Sequence, residues 1–371
     1  MNPILKKKFT PANFPAICFA PSDAINHIDH LAVISYILNI PFVTDEESHY
    51  LAIQKYYPQI TSLFIPKHEQ ILTFFANDYE IIFTSAGPHR KQLSSLFEIL
   101  FNKEMFFWYC PHGHSDKPIP QFLDQQFAFI YGDQMKDRLN EIGAFSVLKS
   151  HIRTGNYRFP FYHAHEKFYD SLVEEEVFSQ LKKKQKTLLY APTWQDFENS
   201  SSLFEISLPI LNQLPGHYNM IVKLHPWLED RHPGQVHFIK EKYQDNPNIV
   251  ILSEYPLVLP ILKRTDLYLG DFSSIGYDFL YYNRPMFFID SDQRIDKNRE
   301  TSNYLHHCGI VIPPSHYQDL FAFIESNEEK QSELALNRIN LFRYAFDQDR
   351  EFSAIRDETI QTINKHRFTK K

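Results

Sequence analysis

The feature that most constrains this chain is a recurrence. Short apolar runs, each followed by a turn and then a stretch of helical period, repeat along most of the 371 residues. That alternation predicts parallel strands joined by crossover helices, an α/β fold. In the first half it predicts strands at 16–20, 41–44, 79–84, 105–110, 127–131 and 150–155, with helices over 28–38, 88–102 and 134–142. In the second half it predicts strands at 187–193, 218–225, 248–252, 267–270, 285–290 and 309–312. Helices are expected there over 202–213, 233–244, 256–263, 274–282 and 316–326. A Glu- and Lys-rich stretch over 166–186 separates the two series. The expected organisation is a Rossmann-like domain over 1–160, a helical connection over 161–186, and a second Rossmann-like domain over 187–371 that includes the C-terminal helices. Two doubly wound domains in series imply a cleft between them, with ligands beyond the carboxyl ends of the strands.

Composition narrows the classes. With 43% hydrophobic and 15% aromatic residues the chain is globular rather than disordered. Three cysteines (Cys18, Cys110, Cys308) support neither a disulfide scaffold nor a four-thiolate zinc site, and a reducing, cytoplasmic setting fits. No apolar run reaches the length of a spanning helix, and no signal-peptide core follows Lys6-Lys7-Lys8, so neither spanning nor export is expected. The net charge of −7 argues against nucleic acid as a partner. Basic clusters remain at Lys6–Lys8, Lys182–Lys184 and the tail Lys365 to Lys371. Solvated ends are their first reading, and peripheral contact with an anionic membrane at its inner face the second. With only ten glycines, and neither a Gly-x-Gly-x-x-Gly nor a Walker sequence, any phosphate must be held without a glycine-rich loop.

Four stretches carry the candidate chemistry, each directly after a predicted strand. In Gly270-Asp271-Phe272-Ser273-Ser274 the helix start offers free N–H groups, a positive dipole end and two hydroxyls to an anion; a plain N-cap is the alternative. In Lys223-Leu224-His225-Pro226 the imidazole could donate to a pyrophosphate oxygen or protonate a leaving phosphate, or be a hydrogen-bonded loop histidine. In Cys110-Pro111-His112-Gly113-His114, Gly113 permits a sharp turn that leaves His112 exposed toward the cleft, where His112 or His114 could serve as a base titrating near neutrality; a metal held by both is the rival. In Ala191-Pro192-Thr193-Trp194, Thr193 could donate to a ligand, and Trp194 could stack on one or roof the core. His306-His307-Cys308 is read as a loop.

Taken together, these stretches resemble the CDP-glycerol glycerophosphotransferase family, the polymerases and primases of wall teichoic acid and related capsule polymers. The resemblance runs through His112-Gly113, Gly155-Asn156-Tyr157-Arg158, Tyr190-Ala191-Pro192-Thr193-Trp194, Lys223-Leu224-His225-Pro226, Asp271-Phe272-Ser273-Ser274, Asp278 and Arg284-Pro285, over roughly residues 105–350. It implies a GT-B fold with the donor in the C-terminal domain and the acceptor side in the N-terminal one. By matching position it implies His112 as acceptor-side base and His225 as the donor-site histidine assisting departure of CMP. Ser273 and Ser274 would bind the donor phosphates and Asp271 would hold their turn. Lys223, Thr193 and Arg284 complete the expected donor side, with Arg284 orienting the loop or meeting a phosphate; His114, Gly113 and Arg158 complete the acceptor side. The implied partners are a CDP-linked donor and a polyol, saccharide or lipid-linked acceptor, with no metal or other cofactor required. A GT-B glycosyltransferase using a nucleotide sugar and a non-catalytic binder of envelope polymer are the alternatives. The chain departs from the family pattern at His114-Ser115-Asp116-Lys117, at Asp347-Gln348-Asp349-Arg350, and at His27-Ile28-Asp29-His30, where His27 and His30 are expected in capping or solvent.

Overall fold

A computed structural model describes residues 14–20, 25–116, 119–182, 185–194, 201–290 and 304–368. The basic residues Lys6–Lys8, Lys183, Lys184, Lys370 and Lys371 lie outside them. The chain folds into two compact units. The first holds residues up to His112, those from 119 to Phe161 and those from Phe346 onward; the second holds Gly113–Asp116 and Tyr162–Ala345.

In the first unit, β1 Ala16–Ala20, β2 Phe42–Thr44, β3 Ser62–Phe64, β4 Ile81–Thr84, β5 Phe106–Tyr109, β6 Phe127–Ile130 and β7 Ser150–Arg153 form one sheet. Its order is β3-β2-β1-β4-β5-β6-β7, and every pairing is parallel. Helices α1 Ile25–Leu38, α2 Glu47–Tyr56, α3 His68–Asp78, α4 His89–Phe101, α5 Asp133–Glu141 and α6 Ala144–Val147 connect the strands. The central strands are apolar on both faces because crossover helices cover both, so all of β1, β4 and β6 is buried. The sheet order reverses between β1 and β4, which places the topological switch point at the exits of those two strands.

Helix α7 Arg158–Ala164 carries the chain out of the first unit, and α8 Glu166–Glu176 belongs to the second. There β8 Lys186–Ala191, β9 Tyr218–Lys223, β10 Ile249–Leu252, β11 Leu267–Gly270, β12 Met286–Ile289 and β13 Ile310–Ile312 form a parallel sheet in the order β10-β9-β8-β11-β12-β13. Its switch point lies between β8 and β11, where Leu269 is in register with Tyr190 and Gly270 with Ala191. The helices are α9 Ser202–Asn212, α10 Pro226–Arg231, α11 Pro233–Tyr243, α12 Leu259–Lys263, α13 Ser274–Phe279, α14 Leu320–Asn327 and α15 Ala335–Phe346. A core built from β8, β9, β11, β12 and the apolar faces of α9, α11 and α14 sits under them.

Two features depart from the expected organisation. The stretch 45–78, where no element was expected, holds α2, β3 and α3. The C-terminal segment, expected in the second domain, groups with the first unit, where α16 Phe352–Phe368 ends the described chain. Several contacts hold it there. The Arg153 guanidinium donates to Asp133 and, at 2.8 Å, to Asp347, and the Arg356 guanidinium donates to the Ile37 carbonyl. Gly155, at φ +63°, brings its Cα against the Phe346 and Gln348 carbonyls, where a Cβ would sit 3.0 and 2.9 Å from them.

Candidate functional site

The second unit places four of the expected donor-side residues, Thr193, Asp271, Ser273 and Ser274, on the two loops that leave its switch point. Asp271 follows β11 and is buried; its Oδ2 accepts from the Thr193 backbone N–H at 2.7 Å and from the Ser202 N–H at 3.2 Å. One carboxylate therefore ties the exit of β8 to the first turn of α9. Ser201 caps that helix, its hydroxyl accepting from Leu203 N–H while donating to the Thr193 carbonyl. Thr193 is thus pinned through its backbone, N–H and carbonyl alike. Below Asp271, the buried Tyr268 hydroxyl lies 3.1 Å from the Asp271 carbonyl and 3.2 Å from Ser273 Oγ. Ser273 occupies the N-cap position of α13 with extended backbone, and its side chain does not cap the helix; Ser274 is the first helical residue.

The turn Gly113–Asp116 belongs to this same unit. Gly113, at φ +143°, lies so close to Ser274 that a Cβ would meet Ser274 Cβ at 2.7 Å and Oγ at 3.0 Å. Asp116 accepts from the Tyr277 hydroxyl and, at 3.1 Å, from Leu305 N–H, while the His114 ring packs edge-on against Tyr277. Gly113 and His114, expected on the acceptor side, therefore brace the helix that carries Ser273 and Ser274. Among the described residues no group of three or more His, Cys, Asp or Glu side chains that could hold a metal ion includes His112 and His114.

His225 follows β9 as the N-cap of α10, with Nδ1 accepting from Trp227 N–H at 3.2 Å. A neutral ring so held carries its proton on Nε2, as a donor. Its neighbours are Trp194 and Trp227, in edge-to-face contact with each other, and the Arg231 guanidinium lies over both indoles. Trp194 thus packs within the protein rather than standing clear as a platform. Lys223 is buried at the end of β9, and its ammonium donates to the Leu224 and Ser253 carbonyls at 3.0 and 3.3 Å. Arg284 corrects an expectation. It sits two residues before β12, at the amino edge of the sheet, and donates to the Lys263 and Thr265 carbonyls. In a parallel sheet that edge lies a full strand length from the exits of β8 and β11, so Arg284 holds the α12–β11 connection and cannot meet a phosphate bound there.

In the first unit, His112 follows β5. Its Nδ1 is enclosed without a hydrogen-bond partner, and the Ser85 hydroxyl at the exit of β4 is likewise buried without one. Burial lowers the pKa of His112 to about 4, with the Ser85 backbone pulling the other way. The expected titration near neutrality is therefore replaced by a ring that is neutral throughout the physiological range. His27 and His30, expected in capping or solvent, are both buried on α1 beside it: the His27 and His112 ring centroids are 4.0 Å apart. Arg158 is equally internal, 3% exposed in an ion pair with Asp29 at 2.7 Å. A second bond reaches Asp29 from the Tyr57 hydroxyl. The His-x-x-His spacing was visible in the sequence; that α1 turns this face inward was not.

Comparison with known proteins bears on these residues. A family model described as CDP-Glycerol:Poly(glycerophosphate) glycerophosphotransferase matches residues 138–340, a span that includes Arg158 and every donor-side candidate but not His112–His114. The teichoic acid glycerol-phosphate primase of Bacillus spizizenii is 32% identical over 136 residues, 36% of this chain and 32% of the primase. The match thus spans about a third of that relative's length. The solved wall teichoic acid polymerase TagF superposes with a TM-score of 0.65 at 15% identity, covering 98% of this chain and 91% of that one. A variant of TagF soaked with CDPG gives 0.64 at 14% identity, with the same coverage of both chains. The fold is α/β of the GT-B class, with two doubly wound units as expected.

Proposed function

Starting from the fact that this chain belongs to the CDP-glycerol:poly(glycerophosphate) glycerophosphotransferase family, we propose that it transfers glycerol phosphate from CDP-glycerol to an acceptor hydroxyl in the synthesis of a cell-envelope polymer. The observation that carries this reading is the second unit's switch point. Thr193, Asp271, Ser273 and Ser274 all stand on the loops leaving β8 and β11, and Asp271 ties those loops together. Open parallel sheets bind ligands at that position.

The acceptor oxygen attacks the β-phosphorus of the donor while its proton passes to Nε2 of His112. The phosphorus–oxygen bond of the diphosphate breaks, and CMP leaves with the bridging oxygen and the electron pair. The first N–H groups of α13 and the hydroxyls of Ser273 and Ser274 face the diphosphate charge. His225 serves as a hydrogen-bond donor from Nε2 rather than as an acid, because its Nδ1 already accepts from the backbone. That suffices chemically: a phosphate monoester has a second pKa near 6 and departs at neutral pH without a proton. Positioning and charge stabilisation then supply most of the rate, as in other phosphoryl transfers.

The test offers the purified protein a panel of CDP- and UDP-linked donors together with an oligo(glycerol phosphate) acceptor. Release of CMP with formation of a phosphodiester is expected. His112→Ala and His225→Ala should each lower turnover by about 100-fold or more while the fold survives. Release of a nucleoside diphosphate with a glycoside product would overturn the reaction, and full activity in both variants would overturn the residue assignment.

A further inference from the structure

His112 does not stand alone at the first unit's switch point. α1 follows β1 and delivers His27 and His30, Ser85 follows β4, and His112 follows β5, so the two exits that flank the reversal and the next one along converge on three imidazoles. The contacts of the two α1 histidines are different in kind. His27 lies with its ring centroid 4.0 Å from that of His112 and the planes inclined by 31°, a close tilted contact between the two rings. His30 acts on the backbone. Its Nδ1 is 3.1 Å from the Tyr131 hydroxyl, and that hydroxyl donates at 2.8 Å to the carbonyl of Pro111, the residue before His112. Because Tyr131 spends its one proton on Pro111, its oxygen accepts from His30, which is therefore the neutral Nδ1–H tautomer.

Resting on the assignment of His112 as the base, we propose that His27 and His30 are its positioning residues: His27 fixes the plane of the ring, and His30, through Tyr131, fixes the peptide on which it is mounted. The need for both follows from the enclosure of Nδ1. Only Nε2 can receive the acceptor's proton, and a ring free to rotate would present it in the productive direction for a fraction of the time. Misplacement by about 1 Å can lower a rate by about 100-fold. Burial disfavours the charged forms of His112 and His30, so that the contact of these rings is not opposed by charge on either of them. Burial lowers the pKa of His30 well below its ordinary value, helped by the Arg158 guanidinium and the two neighbouring histidines. Arg158 is in turn balanced by Asp29, the Tyr131 and Tyr57 hydroxyls are un-ionised hydrogen-bond donors, and burial keeps the Cys110 thiol protonated.

The experiment measures steady-state kinetics with CDP-glycerol and an oligo(glycerol phosphate) acceptor in His27→Ala, His27→Phe, His30→Phe, His30→Asn and Tyr131→Phe, with His112→Ala as reference. Melting temperatures identify the folded variants. His27→Ala and His30→Phe should lower kcat by about 10- to 100-fold at nearly unchanged donor KM, whereas His27→Phe, which keeps an aromatic ring against His112, and His30→Asn, which keeps an N–H donor, should recover most of it. In His27→Ala the uncovered His112 ring gains solvent, so the acid limb of kcat/KM should move upward from near pH 4. Tyr131→Phe removes one hydroxyl and carries the expectation for His30 if His30→Phe does not fold. Wild-type kcat and an unmoved acid limb in His27→Ala, or a folded His27→Phe as slow as His27→Ala, would overturn the proposal. Retained turnover in His112→Ala would instead show that the base itself is misassigned.

Discussion

At the scale of single residues, the determining property is enclosure, and it makes His30 and His112 neutral groups in a folded protein. Both have folded-state pKa values below that of an unfolded histidine, near 6.5, that of His112 reaching about 4. Below 6.5 the unfolded chain therefore binds more protons than the native one, so stability falls as pH drops from 6.5 toward 4 and is insensitive to these groups above 6.5. Calorimetry should record a melting temperature that declines by several degrees across that window, and His30→Asn should flatten the decline. Gly113 makes the second prediction at this scale. With φ at +143° and Ser274 against its Cα, Gly113→Ala adds backbone strain and a steric overlap, costing about 1–3 kcal/mol. Turnover should fall with it, since the overlap falls on the first residue of α13. In the sequence Gly113 reads as a turn glycine of the acceptor side, whereas in the structure it packs on the second unit. Nothing in one sequence reports which of two units a four-residue turn will pack against.

Among elements, the loops after β8 and β11 behave as one piece because Asp271 joins them. Replacing Asp271 by alanine leaves the Thr193 and Ser202 N–H groups without their acceptor, and bonds to a charged group contribute about 1.5–3 kcal/mol each. Asp271→Ala should therefore lower the melting temperature and weaken binding of CMP together, as read by calorimetry and titration. Arg284→Ala separates the two quantities. Its bonds go to the carbonyls of 263 and 265 at the far edge of the sheet, so melting temperature should drop while CMP affinity stays within about twofold. A strand such as β11 was legible because it is buried on both faces and reads as a continuous apolar run. In the 45–78 region α3 does carry a helical-period signal, burying Ile71, Leu72, Phe74, Phe75 and Ala76, that went unread, whereas β3 is a three-residue edge strand and α2 buries only His49 and Ile53. An element that buries so little leaves no periodic trace. Arg284 was misread for a related reason: proximity in sequence to α13 says nothing about which end of β12 the residue occupies.

For the molecule as a whole, two doubly wound sheets were legible from the repeated alternation, but the path of the last segment was not. Its attachment to the first unit runs through Arg153, Gly155 and Ile37, contacts separated by some two hundred or more residues along the chain. No local pattern encodes such contacts. Removing residues from Phe346 onward should leave the second unit's melting transition in place and lower or abolish that of the first, a difference that two-transition calorimetry resolves. During synthesis, then, every described strand of both sheets leaves the ribosome before the helix Phe352–Phe368, which packs on α1 and β7, has been made. The amino-terminal lobe therefore gains its contacts to α1 and β7 from a helix translated after the whole of the second sheet.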